Sequence, residues 1–314
     1  MMMQKEKTVG KAKTVGTLFS GNDLKKLIFP LIIEQILAVS VGMVDTMMVS
    51  SAGEAATSGV SLVDIINVLI INIFAAVATG GAVVASQYLG QKRKDRACQS
   101  ADQLILVTGV VALVIMTLSI LFRWQILNLI YKGVTEEVMK NAVIYLTISA
   151  ISYPFLAVYN SCAALFRSMG NSKISMQASI IMNVINVIGD ALFIFGFHAG
   201  VKGAAVATVI GQVVSGCCFL AYLPRLKSFH IKKNHLKPTA ALTGRILKLG
   251  FPSFLTQIMT ALVQVTMNNL MKTCGAASVY GSDIALSVYG ASMKVYQIAH
   301  AMFVGVSSAT QPIN

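Results

Sequence analysis

The sequence carries little charge for its length. Of its 314 residues, 12% are charged and 55% are hydrophobic. A soluble domain of this size normally carries about twice that charge density. The apolar residues form blocks of about twenty, the length that crosses a bilayer as a helix. The composition therefore predicts a polytopic membrane protein and disfavours a soluble fold.

Several motifs that carry chemistry are missing. The five cysteines include no CxxC pair and the four histidines no HxxxH pair, two spacings typical of metal or redox sites. No GxxxxGK[ST] loop is present, which disfavours ATP hydrolysis by this chain. No nucleophile with a base, and no metal-ligand set, lies at membrane depth, so we expect neither an enzyme nor a bound cofactor.

The positive charge lies between the apolar blocks. The net charge is +13, and no module for binding RNA or DNA is visible, so no nucleic-acid partner is expected. Lys and Arg are retained in the cytoplasm during insertion. An inside N-terminus puts nineteen of these residues in inner segments and five in outer ones. The pattern predicts a multi-pass protein of the plasma (inner) membrane with a cytoplasmic N-terminus.

Eight apolar blocks are long enough to span the bilayer. They cover residues 27–49, 57–85, 104–122, 142–166, 177–197, 203–223, 249–271 and 284–311. The first is longer than the apolar core of a signal peptide, so it is interpreted as a retained helix. Pro154 and Pro30 are expected to be bending points, because proline removes a helical hydrogen bond. Gly80 and Gly81 are expected to allow close helix contact.

An internal repeat organises these spans. FPLIIEQ (29–35) matches FPSFLTQ (251–257), which aligns Pro30 with Pro252. Spans seven and eight are therefore interpreted as a second copy of spans one and two. Six spans per copy predict twelve, so we expect a C-terminally incomplete chain; a natural eight-span protein is the alternative.

Four segments follow from this interpretation. They are a cytoplasmic tail (1–26), a first six-helix lobe (27–223), a basic cytoplasmic linker (224–248) and the first two helices of a second lobe (249–314).

Polar residues within the spans indicate the functional site. An ionised carboxylate at the bilayer centre costs about 2.5–3.5 kcal/mol, so such residues usually line a cavity, meet a cation or carry a proton. Asp45 in span one, Asn186 and Asp190 on one face of span five, and Thr208 in span six lie at similar predicted depth.

We expect Asp45, Asn186, Asp190 and Thr208 to converge on a Na⁺ ion or on a proton shared by the two carboxylates. Of the four, Asp45, Asn186 and Asp190 are the possible Na⁺ ligands. Helix packing through hydrogen bonds is the alternative for Asn186 and Thr208, and also for Asp45 and Asp190, although carboxylates are costly at membrane depth.

Four further residues are candidates for contacting a substrate. They are Glu34, Asp64, Asn160 and Asn183. Glu34 lies near the inner end of span one, where it could instead reach the interface, and Asp64 could simply be solvated.

Five motifs resemble the multidrug and toxic compound extrusion (MATE) family. They are FP…GMVDTMMVS (29–50), ATGGAVVASQYLG (78–90), ALFRSMGNSK (164–173), NVINVIGDALFIFGF (183–197) and GVKGAAVATVIGQ (200–212). The resemblance implies an all-α transporter with two six-helix lobes, in which the motif positions of Asp45, Asn186 and Asp190 form the first lobe's cation site. Some members carry a glutamate in span seven, where this sequence has Thr260.

The predicted function is secondary active multidrug efflux. The protein would export small amphipathic, cationic organic compounds (xenobiotics) in antiport with Na⁺ or H⁺, by alternating access, as a monomer when full length. A flippase for a lipid-linked saccharide is the alternative, but only Lys272 and Lys294 are available as cavity cations. A non-transporting scaffold would leave two intramembrane aspartates unexplained.

Overall fold

The computed structural model describes residues 21–131, 135–222, 239–277 and 281–309, and within them it is all-helical. A six-residue π-helix, Ala191–Gly196, continues the seventh helix. The α-helices are α1 (Gly21–Ser50), α2 (Glu54–Gly90), α3 (Lys94–Leu121), α4 (Arg123–Ile130), α5 (Glu136–Ile151), α6 (Tyr153–Ser168), α7 (Ser172–Asp190), α8 (Gly200–Tyr222), α9 (Ala240–Ala276) and α10 (Gly281–Ala309).

The structure has helices at each of the first six predicted spans. Helices α1, α2, α3, α8 and α7 with its π-helix are long and apolar enough to cross a membrane, and the bent pair α5 and α6 adds a sixth candidate if it forms one span. Helices α9 and α10 occupy the predicted seventh and eighth spans. That these two cross the bilayer stays a prediction, and residues 310 and 311 of span eight lie outside the described residues.

The fourth span bends at the predicted place. Helices α5 and α6 meet at Ser152 with an angle of 52°. Pro154, in the first turn of α6, has no N–H to donate to the turn before it. At the same break, the Ser152 hydroxyl donates a hydrogen bond to the Ser149 carbonyl oxygen at 2.6 Å. Helix α1, by contrast, continues through Pro30, so that residue does not interrupt the first span.

Some helices extend beyond the predicted spans. Helix α3 begins at Lys94, ten residues before the predicted span, and α9 begins at Ala240, so the last residues of the predicted linker are helical. The rest of the linker, 224–238, lies outside the described residues. The eight-residue helix α4 was not predicted at all. Hydropathy marks the part of a helix within the bilayer, whereas the helices continue into the polar region.

The helix pairs are arranged as the internal repeat requires. Helix α10 packs against α1, where Gly305 approaches the backbone of Ile32, and α9 packs against α2. In the predicted repeat, α9 is the second copy of α1, and α10 is the second copy of α2. Exchanging the two copies converts the contact between α1 and α10 into the contact between α9 and α2. The two contacts are therefore equivalent, which supports the interpretation of a repeat with twofold pseudo-symmetry.

The contact between α2 and α9 depends on glycine. A Cβ atom on Gly80 would lie 2.5 Å from the backbone nitrogen of Gly250, and one on Gly250 would lie 2.8 Å from the carbonyl oxygen of Ala76. A Cβ atom added to Gly81 would likewise collide with the side chain of Leu104 on α3. The prediction that Gly80 and Gly81 allow close helix contact is confirmed.

The Gly80→Ala substitution should destabilise the protein, because the new methyl group must push two backbones apart. Overpacking of this kind costs about 1–3 kcal/mol. Gly244→Ala on α9 is the matched control, since its Cβ would meet nothing within 4 Å. We expect a lower thermal midpoint, measured by size exclusion of heated protein in detergent, for Gly80→Ala alone. Equal midpoints for the two variants would contradict the packing described.

Candidate functional site

A cavity with both polar and apolar lining residues lies among the helices of the first six predicted spans. Its volume is about 390 Å³, and α1, α2, α5, α6, α7 and α8 contribute to its wall. The polar residues that line it are Asp45, Asp64, Asn67, Tyr145, Ser149, Ser152, Tyr153, Asn183, Asn186, Thr208 and Gln212. Among the described residues, no Lys or Arg lines this cavity, so its ionisable charge is acidic.

Asp45 and Asp190 meet beside this cavity. Asp190, at the end of α7, is fully buried, and its carboxyl group lies close to that of Asp45. None of the described residues donates a hydrogen bond to Asp45 Oδ1 or to either carboxylate oxygen of Asp190. Two adjacent carboxylates repel when both are ionised, so the pair is suited to hold a proton or a cation.

The helix changes its hydrogen-bonding pattern at this point. α7 ends at Asp190 and the chain continues as the π-helix Ala191–Gly196. Such segments are rare and occur frequently at functional sites. The π-helix begins directly after Asp190, the residue that lies beside Asp45.

Asn186 and Thr208 also lie together, on the wall of the same cavity. The Asn186 side-chain amide donates to Thr208 Oγ1 at 3.2 Å, and Thr208 Oγ1 donates to the carbonyl oxygen of Ala204 at 3.1 Å. The structure therefore places the four residues of the predicted coupling site on three neighbouring helices. Their oxygen atoms suit a hard cation such as Na⁺.

Metals with nitrogen or sulfur ligands have no comparable site in the described part of the chain. No group of three or more His, Cys, Asp or Glu side chains with suitable geometry occurs there. Asp45 and Asp190 offer oxygen ligands only, and such ligands suit Na⁺ better than a transition metal.

Tyr145 lies in the cavity wall between Asp64 and Thr208, and it was not among the site residues predicted from the sequence. Its buried hydroxyl interacts with the carboxylate of Asp64 and with the hydroxyl of Thr208. Asp64 also interacts with Asn67, which accepts a hydrogen bond from Tyr153 at 2.9 Å. A tyrosine in an apolar span is too common to signal a site by itself.

Two further polar atoms of this cavity lack partners. Ser149 Oγ and Gln212 Oε1 are buried, and neither has a hydrogen-bond partner among the described residues. Buried polar groups are nearly always hydrogen-bonded, and exceptions call for an explanation. A polar ligand in the cavity would satisfy these atoms.

The four substrate candidates divide into two groups. Asp64 and Asn183 line the cavity, and the Asn183 amide also donates to Ser179 Oγ at 3.2 Å. Glu34 and Asn160 are not among its lining residues. The Asn160 amide donates instead to the Leu156 carbonyl oxygen of its own helix at 2.9 Å.

Glu34 belongs to a separate ionic cluster. It is 5% exposed, its Oε1 lies 3.4 Å from Arg167 Nη1, and Ser175 Oγ donates to its Oε2 at 2.9 Å. The alternative in which Glu34 extends to the membrane interface is therefore wrong. Arg167 was not among the predicted site residues, but in the structure it balances the carboxylate of Glu34 on another helix.

Family comparison agrees with the motifs. Residues 30–192 match the model of the MatE family. The chain belongs to the MatE family. It is 29% identical over 237 residues to the multidrug export protein MepA of Staphylococcus haemolyticus, covering 74% of this chain and 50% of MepA. It is 27% identical over 282 residues to the uncharacterized transporter YisQ of Bacillus subtilis, covering 84% and 60%. Neither relative is named as an enzyme.

A solved MatE-type structure has the same fold. The crystal structure of a MATE protein in complex with MaL6 superposes with a TM-score of 0.84 at 21% identity, covering 92% of this chain and 63% of that one. The prediction of an all-α, MATE-like fold is confirmed. The chain spans half to three fifths of the two curated relatives.

Removing Arg167 should destabilise this MatE protein, because Glu34 would remain buried without its counter-ion. Loss of one partner from a buried ion pair costs about 3–5 kcal/mol. We expect Arg167→Gln to lower the thermal midpoint in detergent and Glu34→Gln, Arg167→Gln together to recover much of it. Lys140→Gln is the control, because its pair with Glu136 is exposed. An Arg167→Gln variant as stable as that control would refute the role assigned to the pair.

Proposed function

We propose that the full-length protein is a secondary active multidrug exporter that exchanges small organic compounds for Na⁺ or H⁺, coupled at Asp45 and Asp190. The observation that carries the proposal is the proximity of these two carboxyl groups, in which Asp45 Oδ1 and both carboxylate oxygens of Asp190 are buried without a hydrogen-bond partner among the described residues. A purely structural pair would be expected to have donors around it, as Glu34 has.

Coupling follows from the electrostatics of this pair. A cation or proton relieves the repulsion between Asp45 and Asp190, so it stabilises arrangements in which α1 and α7 bring them together. A ligand shifts a conformational equilibrium only by its difference in affinity for the two states. Ion binding here would therefore favour one state of alternating access, and one charge crossing 100 mV supplies about 2.3 kcal/mol.

The cavity suits an amphipathic cation. Asp64 provides an acidic group, while Val68, Ile71, Leu156 and Met182 supply apolar wall. A volume of about 390 Å³ lies within the range of small-molecule sites. The name of the related protein MepA, multidrug export protein, supports the same substrate class. We propose that Asp64 attracts the cationic group, with Asn183 as a further contact.

The flippase alternative is less well supported. An anionic lipid-linked saccharide would be attracted by basic residues, and the described lining of this cavity contains acidic ones only. Glu34 and Asn160, which lie outside the lining, are not part of the proposed substrate site. We also propose that the full-length protein is a monomer.

Neutralising either aspartate should abolish ion-driven transport. We expect Asp45→Asn and Asp190→Asn each to lose at least about tenfold in efflux rate, because an amide cannot release and take up the coupling charge. Glu137→Gln, which changes an exposed carboxylate at the start of α5, is the control. Drug efflux from proteoliposomes under imposed Na⁺ and pH gradients also identifies the ion. Undiminished efflux in both aspartate variants would overturn the assignment.

We further propose that the basic end of the molecule, which contains residues 91–96 and 168–173, faces the cytoplasm. The Lys and Arg distribution supports this orientation. The opposite end contains residues 51–53 and 197–199.

A labelling experiment tests the orientation. In a variant whose native cysteines are replaced, Ser51→Cys should react with a membrane-impermeant maleimide in intact cells. Gln91→Cys should react only after the cells are opened. Both native residues are exposed, so the comparison reports sidedness. The reverse labelling pattern would disprove the orientation.

A further inference from the structure

A second cavity opens at the basic end, between the start of α1 and the start of α7. Its volume is about 840 Å³. The residues that line it are Lys25, Lys26, Ile28, Phe29, Pro30, Ile32, Gly170, Asn171, Ser172 and Lys173. It shares no residue with the cavity at Asp45, so it is not part of the proposed transport site.

The two sides of this cavity differ in character. Lys25, Lys26 and Lys173 are exposed and supply three positive charges, and no Asp or Glu is among the described lining residues. The apolar side includes Phe29, whose surface is 67% exposed. A basic group of side chains beside an exposed apolar face matches an anionic headgroup with its acyl chains.

The beginning of α7 supplies hydrogen-bond donors to the same place. α7 is 19 residues long, and its N-cap Asn171 makes no side-chain capping bond. The first N–H groups of a helix have no partner within it and favour an anion.

Ser172 is an independent indication of a ligand. The residue is 2% exposed and lines the cavity, and its hydroxyl has no hydrogen-bond partner among the described residues. A buried hydroxyl without a partner is costly, and a phosphate oxygen would accept its hydrogen bond.

From these features we propose that the cavity binds the phosphate headgroup of an anionic phospholipid in the leaflet at the basic end. Lys25, Lys26 and Lys173 balance its charge, and Ser172 Oγ with the first N–H groups of α7 donates to the phosphate. The acyl chains lie along Phe29 and Ile32. The site ties the starts of α1 and α7 to the same lipid.

Nearby segments of the chain itself do not supply such an anion. Residues 1–24 contain four lysines against Glu6 and Asp23 and are net cationic, and residues 223–238 contain five Lys or Arg and no acidic residue. Both segments are cationic and would be repelled by the three lysines. An anionic lipid is complementary to the cavity in charge and in hydrophobicity.

The test is lipid binding to the purified, delipidated full chain, followed by native mass spectrometry. Phosphatidylglycerol should bind at least about tenfold more tightly than phosphatidylcholine, since each Lys near an anionic headgroup contributes to affinity. Replacing Lys25, Lys26 and Lys173 by Gln together should remove this preference. Replacing Lys92, Arg93 and Lys94 by Gln is the control, because it removes equal charge at the same end outside the cavity.

Ser172→Ala provides a second, milder variant in case the triple replacement does not fold. It should weaken phosphatidylglycerol binding about threefold or more and leave phosphatidylcholine binding unchanged. Inorganic phosphate serves as a competitor. The proposal is overturned if the two lipids bind equally, if the control loses the preference as fully as the triple variant, or if millimolar phosphate displaces the lipid completely, which would indicate a free-phosphate site.

Discussion

The cost of placing charge inside a membrane governs the arrangement of this protein. Glu34, Asp45, Asp64 and Asp190 all lie on helices long and apolar enough to cross a bilayer. Each must therefore meet a counter-charge, a hydrogen-bond donor or a proton. The way in which each carboxylate is satisfied determines which helices pack together and where a ligand can enter.

Helix α1 shows two solutions of this problem. Glu34 is satisfied within the protein by Arg167 on α6 and Ser175 on α7. Asp45 lies beside a second carboxylate, Asp190, and no described residue donates a hydrogen bond to its Oδ1. The first arrangement joins three helices at the basic end, and the second leaves a place for an exchangeable ion. Since α7 carries Ser175 as well as Asp190, one helix contacts both carboxylates of α1.

Much of this arrangement could be predicted because a helix has a constant rise. Counting residues placed Asp45, Asn186, Asp190 and Thr208 at one depth, and the structure brings Asn186 to Thr208 and Asp45 to Asp190. The bend near Pro154 followed from the missing N–H of proline. Helix α4 was missed because eight residues of mixed polarity give no clear hydropathy signal.

The membrane class, the order of the candidate spans and the residues whose charge needs a partner could all be predicted from the sequence alone. This was possible because apolar length and carboxylates within it are local properties. Only the tertiary structure decided that Arg167 pairs with Glu34, that Tyr145 lies between Asp64 and Thr208, and that Asn160 bonds within its own helix. These outcomes depend on the rotation of each helix about its axis. Because lipid and the helix interface are both apolar, hydropathy does not distinguish the two faces of a helix.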